Sequence, residues 1–186
     1  MLKKVVISCV FGLLPLSIAE GASNEAALRA AFVFKFIKFI EWPNQLDNSS
    51  LRLCALGADS DAKEALQPLN GQPLNRPTAN GTSVFKQSIE VLYLDDSAAI
   101  RDHLKSCQML YRPSRALPLA IPHPPPLGVF LVADDPLPTD LDVGIALARN
   151  PDGRIEFSIS SEAITHAGVN VSSQLLKLAK NSQAGR

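Results

Sequence analysis

Two adjacent carboxylates stand where a polar ligand could be bound. Asp134 and Asp135 follow the run GVFLVA at 128–133, which is typical of a strand buried on both faces. Open α/β sheets bind ligands at the carboxyl ends of their strands, so Asp134 and Asp135 are predicted as a possible ligand contact. The alternative interpretation is a solvated acidic turn before Pro136.

Other candidate chemistry is sparse. The sequence contains no GxSxG, GxGxxG or P-loop motif, so no catalytic residue is assigned. His103, His123 and His166 show no metal-ligand spacing, and neither a metal nor a cofactor is expected. Asp95 and Asp96 follow another predicted strand, where they are more simply explained as a helix cap.

The first residues predict export. Lys3 and Lys4 precede an apolar stretch, Val5 to Leu16, and small residues close the segment. This stretch is shorter than the ~20 residues of a membrane span. We therefore expect residues 1–22 to be a cleaved signal peptide and the protein to be periplasmic, with no direct membrane insertion after cleavage. An uncleaved N-terminal anchor is the alternative.

Cleavage would leave two cysteines, Cys54 and Cys107. An even count in an oxidising compartment favours a disulfide. Each cysteine lies in a predicted strand, and neighbouring strands ~5 Å apart satisfy the limit on Cα separation. Closing a loop of about 54 residues would stabilise the fold by ~4 kcal/mol in the chain-entropy model. Two buried free thiols are the alternative.

Strands that alternate with helices predict the fold class. The strands are expected at 51–56, 88–94, 107–111, 128–133, 143–148 and 154–159, and residues 72–87 are expected to form a loop. Short helices are expected at 60–69, 96–105, 161–167 and 174–180. The pattern indicates an α/β fold: a mixed, largely parallel sheet flanked by helices on both faces, Rossmann-like in outline, with a C-terminal hairpin and helix.

Charge and length complete this prediction. Residues 23–182 are expected to form one domain, and residues 183–186 a disordered tail. Lys plus Arg and Asp plus Glu number 18 each, so the chain has no basic excess and nucleic acid is not an expected partner.

The segment 26–43, AALRAAFVFKFIKFIEWP, is the most unusual part of the chain. Four of the eight phenylalanines and the only tryptophan lie within eleven positions. On a helical wheel Leu28, Phe32, Phe36 and Phe39 cluster on one face, which Ile37 and Ile40 extend, and this face is predicted to enter the core.

Two aromatic residues fall outside that face. Phe34 and Trp42 project beside charged neighbours, and aromatic side chains with a polar rim are enriched in protein interfaces. A partner or dimer interface is therefore predicted at Phe34, Lys38, Glu41 and Trp42. The alternative is a helix that is buried nearly all round.

Four blocks of the sequence resemble the YfiR-like periplasmic regulators. They are AAFVFKFIKFIEWP at 30–43, LRLCALG at 51–57, CQMLYRPS at 107–114 and RIEFSISSEAITHAGVNVSSQLLKLAK at 154–180. Cys54 and Cys107 fall where the family places a disulfide pair. The chain departs from the family at Val143, where a glycine is frequent, and it lacks the cysteines for the second disulfide of some members.

The resemblance implies a non-catalytic function. It implies a homodimer that binds the periplasmic part of an inner-membrane diguanylate cyclase and restrains cyclic-di-GMP synthesis, exopolysaccharide output and biofilm growth. A periplasmic small-ligand sensor or solute-binding domain, with a pocket near Asp134 and Asp135, is the alternative function. A hydrolase with dispersed catalytic residues is a third, for which the sequence offers no nucleophile–base pair.

Overall fold

The computed structural model describes residues 19–42, 50–77 and 84–180. Its helices are α1 (Ala19–Phe39), α2 (Ser60–Leu66), α3 (Ser97–His103), α4 (Ser161–Ala167) and α5 (Ser173–Leu178). Its strands are β1 (Ile40–Glu41), β2 (Leu51–Leu56), β3 (Pro73–Pro77), β4 (Val84–Leu94), β5 (Met109–Arg112), β6 (Phe130–Asp134), β7 (Ile145–Arg149), β8 (Ile155–Ile159) and β9 (Asn170–Val171). Residues 1–18 of the predicted signal peptide and the predicted tail lie outside the described residues. None of the described helices combines the length and apolarity that a membrane crossing requires.

The main sheet confirms the predicted α/β class. Its strand order is β3-β4-β2-β5-β6-β7-β8, and β4, β2, β5, β6 and β7 run parallel. β3 and β8 pair antiparallel at the two edges. A separate antiparallel pair joins β1 to β9, which brings the end of α1 next to the C-terminal part of the chain.

The local signals of the sequence place most elements correctly. β7 and β8 form the predicted hairpin, closed where the Asn150 N–H donates to the Arg154 carbonyl at 2.8 Å. Asp59 and Asp96 cap α2 and α3 through side-chain hydrogen bonds to backbone N–H groups. Gly168 ends α4 with a positive φ of 66°, a conformation that costs glycine little.

The prediction of a loop at 72–87 is wrong where the chain is described. Residues 73–77 form β3, and residues 84–87 extend β4 in the direction of the chain's N-terminus. β3 begins and ends with a proline, which an edge strand tolerates because one of its sides has no ladder to complete. The predicted turn at 80–81 lies outside the described residues.

Alternate side chains of the central strands enter two separate apolar clusters. In β2, Leu53 and Ala55 belong to the larger cluster, which includes α1, and Cys54 and Leu56 belong to the other. This alternation follows from the two-residue period of a strand. The second cluster also contains Ile100 of α3, with part of the proline-rich segment packed against it.

The buried face of α1 is only partly the predicted one. Phe36 and Ile37 of α1 and Ile40 of β1 are almost fully buried as predicted, and Arg29, Ala30 and Val33 are buried beside them. Leu28, predicted to enter the core, is 49% exposed, and Phe32 and Phe39 are only partly buried. The physical reason is that the sheet edge offers carboxylates to Arg29, so α1 turns this residue toward the sheet in place of Leu28.

Candidate functional site

A buried ion pair joins α1 to the carboxyl edge of the sheet. Arg29 lies one helical turn before Val33 and two turns before Phe36 on the buried face of α1. Its Nη1 is 3.4 Å from Oδ1 of Asp134, the last residue of β6. The two side chains are only 3% and 1% exposed, so each charge depends on the other for compensation.

Two further carboxylates complete the surroundings of Arg29. Its Nε and Nη2 donate to Oε1 of Glu25 at 2.9 and 2.7 Å, and Nη2 also donates to Oδ2 of Asp135 at 2.8 Å. Burial alone would lower the pKa of Arg29, but the Glu25 hydrogen bond and the nearby carboxylate charges raise this pKa above its ordinary value. The guanidinium therefore keeps its positive charge at neutral pH.

Asp134 also accepts hydrogen bonds from the strand beside it. The Tyr111 hydroxyl of β5 donates to Oδ2 at 2.7 Å, and the Ser114 N–H donates to the same oxygen at 3.2 Å. Burial raises the pKa of the Asp134 carboxyl above its ordinary value, against the lowering by Tyr111 and Arg29. Burial likewise raises the pKa of Tyr111, so the hydroxyl keeps its proton and acts as a donor.

Asp135 extends the network to β7. Its φ of 42° is left-handed, and its Oδ1 accepts from the Arg149 N–H at 3.3 Å. Arg149 in turn forms an ion pair with Glu25 of α1. The hydrogen bond from Arg29 lowers the pKa of Glu25 below its ordinary value. These contacts link α1 to the residue that follows β6 and to the end of β7.

The two predicted carboxylates therefore differ in environment. The alternative interpretation of Asp134 and Asp135 was a solvated acidic turn. It is wrong for Asp134, because this residue is buried. Asp135 is exposed and paired with Arg29. A ligand contact at either residue stays a prediction. Sequence reasoning missed Arg29 and Tyr111, although a lone arginine in phase with the apolar stripe of α1 was a usable signal.

A pocket of about 190 Å³ opens beside this network. It is lined by the buried residues Arg29, Tyr111 and Asp134, and also by Asp59, which is partly buried, and Arg115, which is exposed. Arg115 forms ion pairs with Asp59, at 2.8 Å, and with Asp61. Across the described ranges, no group of three or more His, Cys, Asp and Glu side chains is arranged to hold a metal ion.

The four residues of the predicted interface do not all lie on the surface. Phe34 is partly buried, Lys38 is exposed with Nζ 4.4 Å from the Phe34 ring centroid, and Glu41 is exposed on β1. Trp42 does not project outward as predicted, since it is 7% exposed and donates from Nε1 to the Gln108 carbonyl at 3.1 Å. An unmet indole N–H in the core would be costly, and this hydrogen bond removes that cost.

Cys54 and Cys107 form a disulfide. Cys54 of β2 and Cys107, just before β5, have their Cα atoms 5.8 Å apart. Both side chains lie in the smaller apolar cluster and are 0% and 2% exposed. The bond therefore ties two neighbouring parallel strands together from within the core.

The other singled-out side chains have local roles. Asp95 accepts from Lys63 Nζ at 2.7 Å, and Asp96 caps α3 as predicted. His123 is exposed, with Nδ1 2.9 Å from Asp142 Oδ2, and His166 contacts the Pro125 carbonyl.

A match to the YfiR/HmsC-like family covers residues 26–180. The chain belongs to this family. The YfiR/HmsC-like proteins are periplasmic regulators of diguanylate cyclases, which is a regulatory and not a catalytic role. The matched range contains the charged network, the disulfide and α5. No curated protein matches the chain significantly.

Proposed function

We propose that this protein binds the periplasmic sensing part of an inner-membrane diguanylate cyclase and inhibits it without catalysing a reaction. Inhibition lowers cyclic-di-GMP and, with it, exopolysaccharide output and biofilm growth. The family match over residues 26–180 is the observation that carries this proposal. A buried disulfide supports it, since such bonds form in oxidising compartments such as the periplasm.

The proposed binding surface is the end of α1 with β1. Phe34, Lys38 and Glu41 give it an aromatic ring, a cation and an anion within eight positions. Trp42 is buried next to this surface, and its hydrogen bond to the Gln108 carbonyl holds the end of β1 against the main sheet. The same surface serves the cyclase or a second copy of the chain in a homodimer.

The disulfide has a supporting role in this proposal. It fixes β2 to the start of β5, and the Gln108 carbonyl that holds Trp42 directly follows Cys107. Loss of the bond loosens the segment on which Trp42 rests, and the binding surface loosens with it. The disulfide thus keeps the protein competent to bind.

A deletion strain tests the regulatory claim. Cells without the gene should contain more cyclic-di-GMP and form more biofilm, and an exported wild-type copy should restore both. Mass spectrometry of nucleotide extracts measures the first effect and crystal-violet staining the second. Unchanged cyclic-di-GMP after deletion would show that the protein does not regulate a cyclase under those conditions.

A surface variant tests the binding claim. Phe34→Ala with Glu41→Lys should weaken binding to the cyclase's periplasmic part, or dissociate the homodimer, by about tenfold or more. Arg101→Glu is the matched control, because the Arg101 side chain is 72% exposed on α3, whose Ile100 packs in the other apolar cluster. Biolayer interferometry and sedimentation velocity are the assays, and circular dichroism checks folding. If the double variant folds and keeps both affinities, the binding surface lies elsewhere.

A further inference from the structure

One face of the main sheet is covered largely by irregular segments. β6 is buried along its whole length, so its side chains need cover on both faces of the sheet. Of the described helices, α1, α2, α4 and α5 contribute side chains to the larger apolar cluster, and only α3 contributes to the smaller one. Leu119 and Ile121 of the proline-rich segment pack against the smaller cluster, and Val143, before β7, belongs to it. Irregular segments therefore stand on this face where helices stand on the other.

Two adjoining cavities lie beside these segments. Their volumes are about 350 and 420 Å³, each within the ~300–1,000 Å³ of typical binding sites. They share the lining residues Pro124, Leu131, Leu141 and Asp142, so they form one depression, which we call the β6 groove. Leu131 is buried in the smaller cluster, whereas Leu141 is 81% exposed. Exposed apolar surface with a polar rim is typical of interaction sites.

The β6 groove is negatively charged. Asp142 lines both cavities, Asp140 lines one, and Glu162 of α4 lines the other. Arg112, paired with Asp140, is the one Lys or Arg among the described lining residues. With the two histidines of the lining counted as neutral, three carboxylates stand against one guanidinium. Glu162 forms no ion pair within the described ranges, so its charge is available to a cation.

We propose that the β6 groove binds an extended peptide segment of a partner protein, with two apolar side chains and a Lys or Arg. One apolar side chain enters each cavity, on either side of Leu141, and the cation pairs with Glu162. Alternate residues of an extended peptide point to the same side, so these three side chains are two positions apart. The negative charge disfavours nucleic acid or an anionic lipid surface as the occupant.

This surface is additional to the one proposed for the cyclase. Phe34, Lys38 and Glu41 line neither cavity. The proposal therefore gives the protein a second place at which a partner binds, and it goes beyond inhibition of the cyclase.

Three labelled peptides are the probes. The first, Lys-Ser-Leu-Ser-Leu-Ser-Lys, has a lysine at either end, so it can meet Glu162 in either chain direction. The second replaces both lysines by glutamate, and the third replaces both leucines by serine. Fluorescence anisotropy with the purified protein at low salt should show saturable binding of the first peptide. The other two should bind about tenfold more weakly or less, because one is repelled and the other leaves both cavities unfilled.

Two substitutions in the groove locate the bound peptide. Leu141→Ser and Glu162→Lys should each weaken binding of the lysine–leucine peptide by about tenfold. Leu178→Ser and Glu64→Lys are the matched controls, since both positions are exposed and line neither cavity, and they should bind as the wild type does. Circular dichroism checks the folding of all four variants, and each groove variant tests the site on its own.

Several results would overturn the proposal. They are equal binding of the three peptides, no saturable binding of the lysine–leucine peptide, or unchanged affinity in either groove variant. A smaller species for Leu141→Ser than for the wild type in sedimentation velocity would assign the groove to a second copy of the chain instead. Phe34→Ala with Glu41→Lys should keep the peptide affinity, and its loss would move the peptide to the end of α1. No cyclase is present, so the result is independent of the regulatory claim.

Discussion

Arg29→Met tests whether the buried charge network holds α1 on the sheet. Methionine keeps an unbranched stem in the apolar stripe and removes the guanidinium. Asp134 is then left in the core with only the Tyr111 hydroxyl and the Ser114 N–H as hydrogen-bond donors. Removing one partner of a buried ion pair costs ~3–5 kcal/mol, so the free energy of unfolding should fall by about that amount.

The loss should depend on pH in a definite direction. Arg29 lowers the pKa of Asp134 against burial, which raises it, so removing Arg29 raises the folded-state pKa further. A carboxyl whose folded pKa lies above its unfolded pKa stabilises the fold at low pH and loses this contribution as pH rises. Glu25, whose pKa Arg29 lowers, stabilises the wild type above its unfolded pKa and loses this contribution only as pH falls through the lowered folded pKa, so it contributes at both about pH 5 and about pH 7. The Asp134 effect therefore makes the deficit of the variant larger at about pH 7 than at about pH 5.

Urea denaturation at both pH values is the assay, with the fluorescence of Trp42 as the signal. A domain of this size has a total stability of ~5–15 kcal/mol, so a loss of ~3–5 kcal/mol is readily measured. Because Trp42 is buried and is the only tryptophan, its emission reports the exposure of one defined site in the core.

Two further variants make the result decisive. Arg101→Met removes an arginine whose side chain is 72% exposed and 3.4 Å from Asp102, and it should cost less than ~1 kcal/mol. Adding Asp134→Asn to Arg29→Met removes the uncompensated charge and should recover ~2 kcal/mol. The reasoning is refuted if Arg29→Met costs no more than the Arg101 control, or if its deficit grows as the pH falls.

Three other predictions concern the core. Replacing Cys54 and Cys107 by alanine should lower the free energy of unfolding by up to ~4 kcal/mol, measured by urea denaturation; an unchanged midpoint would show that the bond adds nothing. Trp42→Phe should cost ~1 kcal/mol through the lost indole hydrogen bond, measured by thermal melts followed by circular dichroism, and no loss would mean that this bond is weak. Gly144→Ala should cost ~1–3 kcal/mol, because the added Cβ would lie 2.3 Å from the Phe130 ring, and a neutral result would show that the ring moves freely.

Most of the fold could be predicted because its signals are local. The apolar runs of β2 and β6, the caps Asp59 and Asp96, and Gly168 each act within a few residues of the chain. β3 could not be predicted in this way, because its prolines and polar residues resemble a loop. Its pairing with β4 decides its structure, and that pairing depends on the sheet already being formed.

The candidate site could likewise be predicted only where local sequence signals determine it. Asp134 and Asp135 could be placed at the carboxyl edge from the strand that precedes them. Their different environments could not be predicted, because the partners of Asp134 come from Arg29, 105 positions earlier in the numbering, and from Tyr111 of the neighbouring strand. Helical phase alone also placed Trp42 on the surface, whereas β1 carries it into the core after α1 has ended.

The sequence by itself determined the α/β class, the cysteine pair available for a disulfide, the closing hairpin and the resemblance to a family of periplasmic regulators. These depend on residue type and spacing along the chain. Only the tertiary structure decided which face of α1 is buried and which atoms surround Asp134. A charged residue enters the core only where distant carboxylates compensate it, and that compensation exists only once α1 lies against β6 and β7.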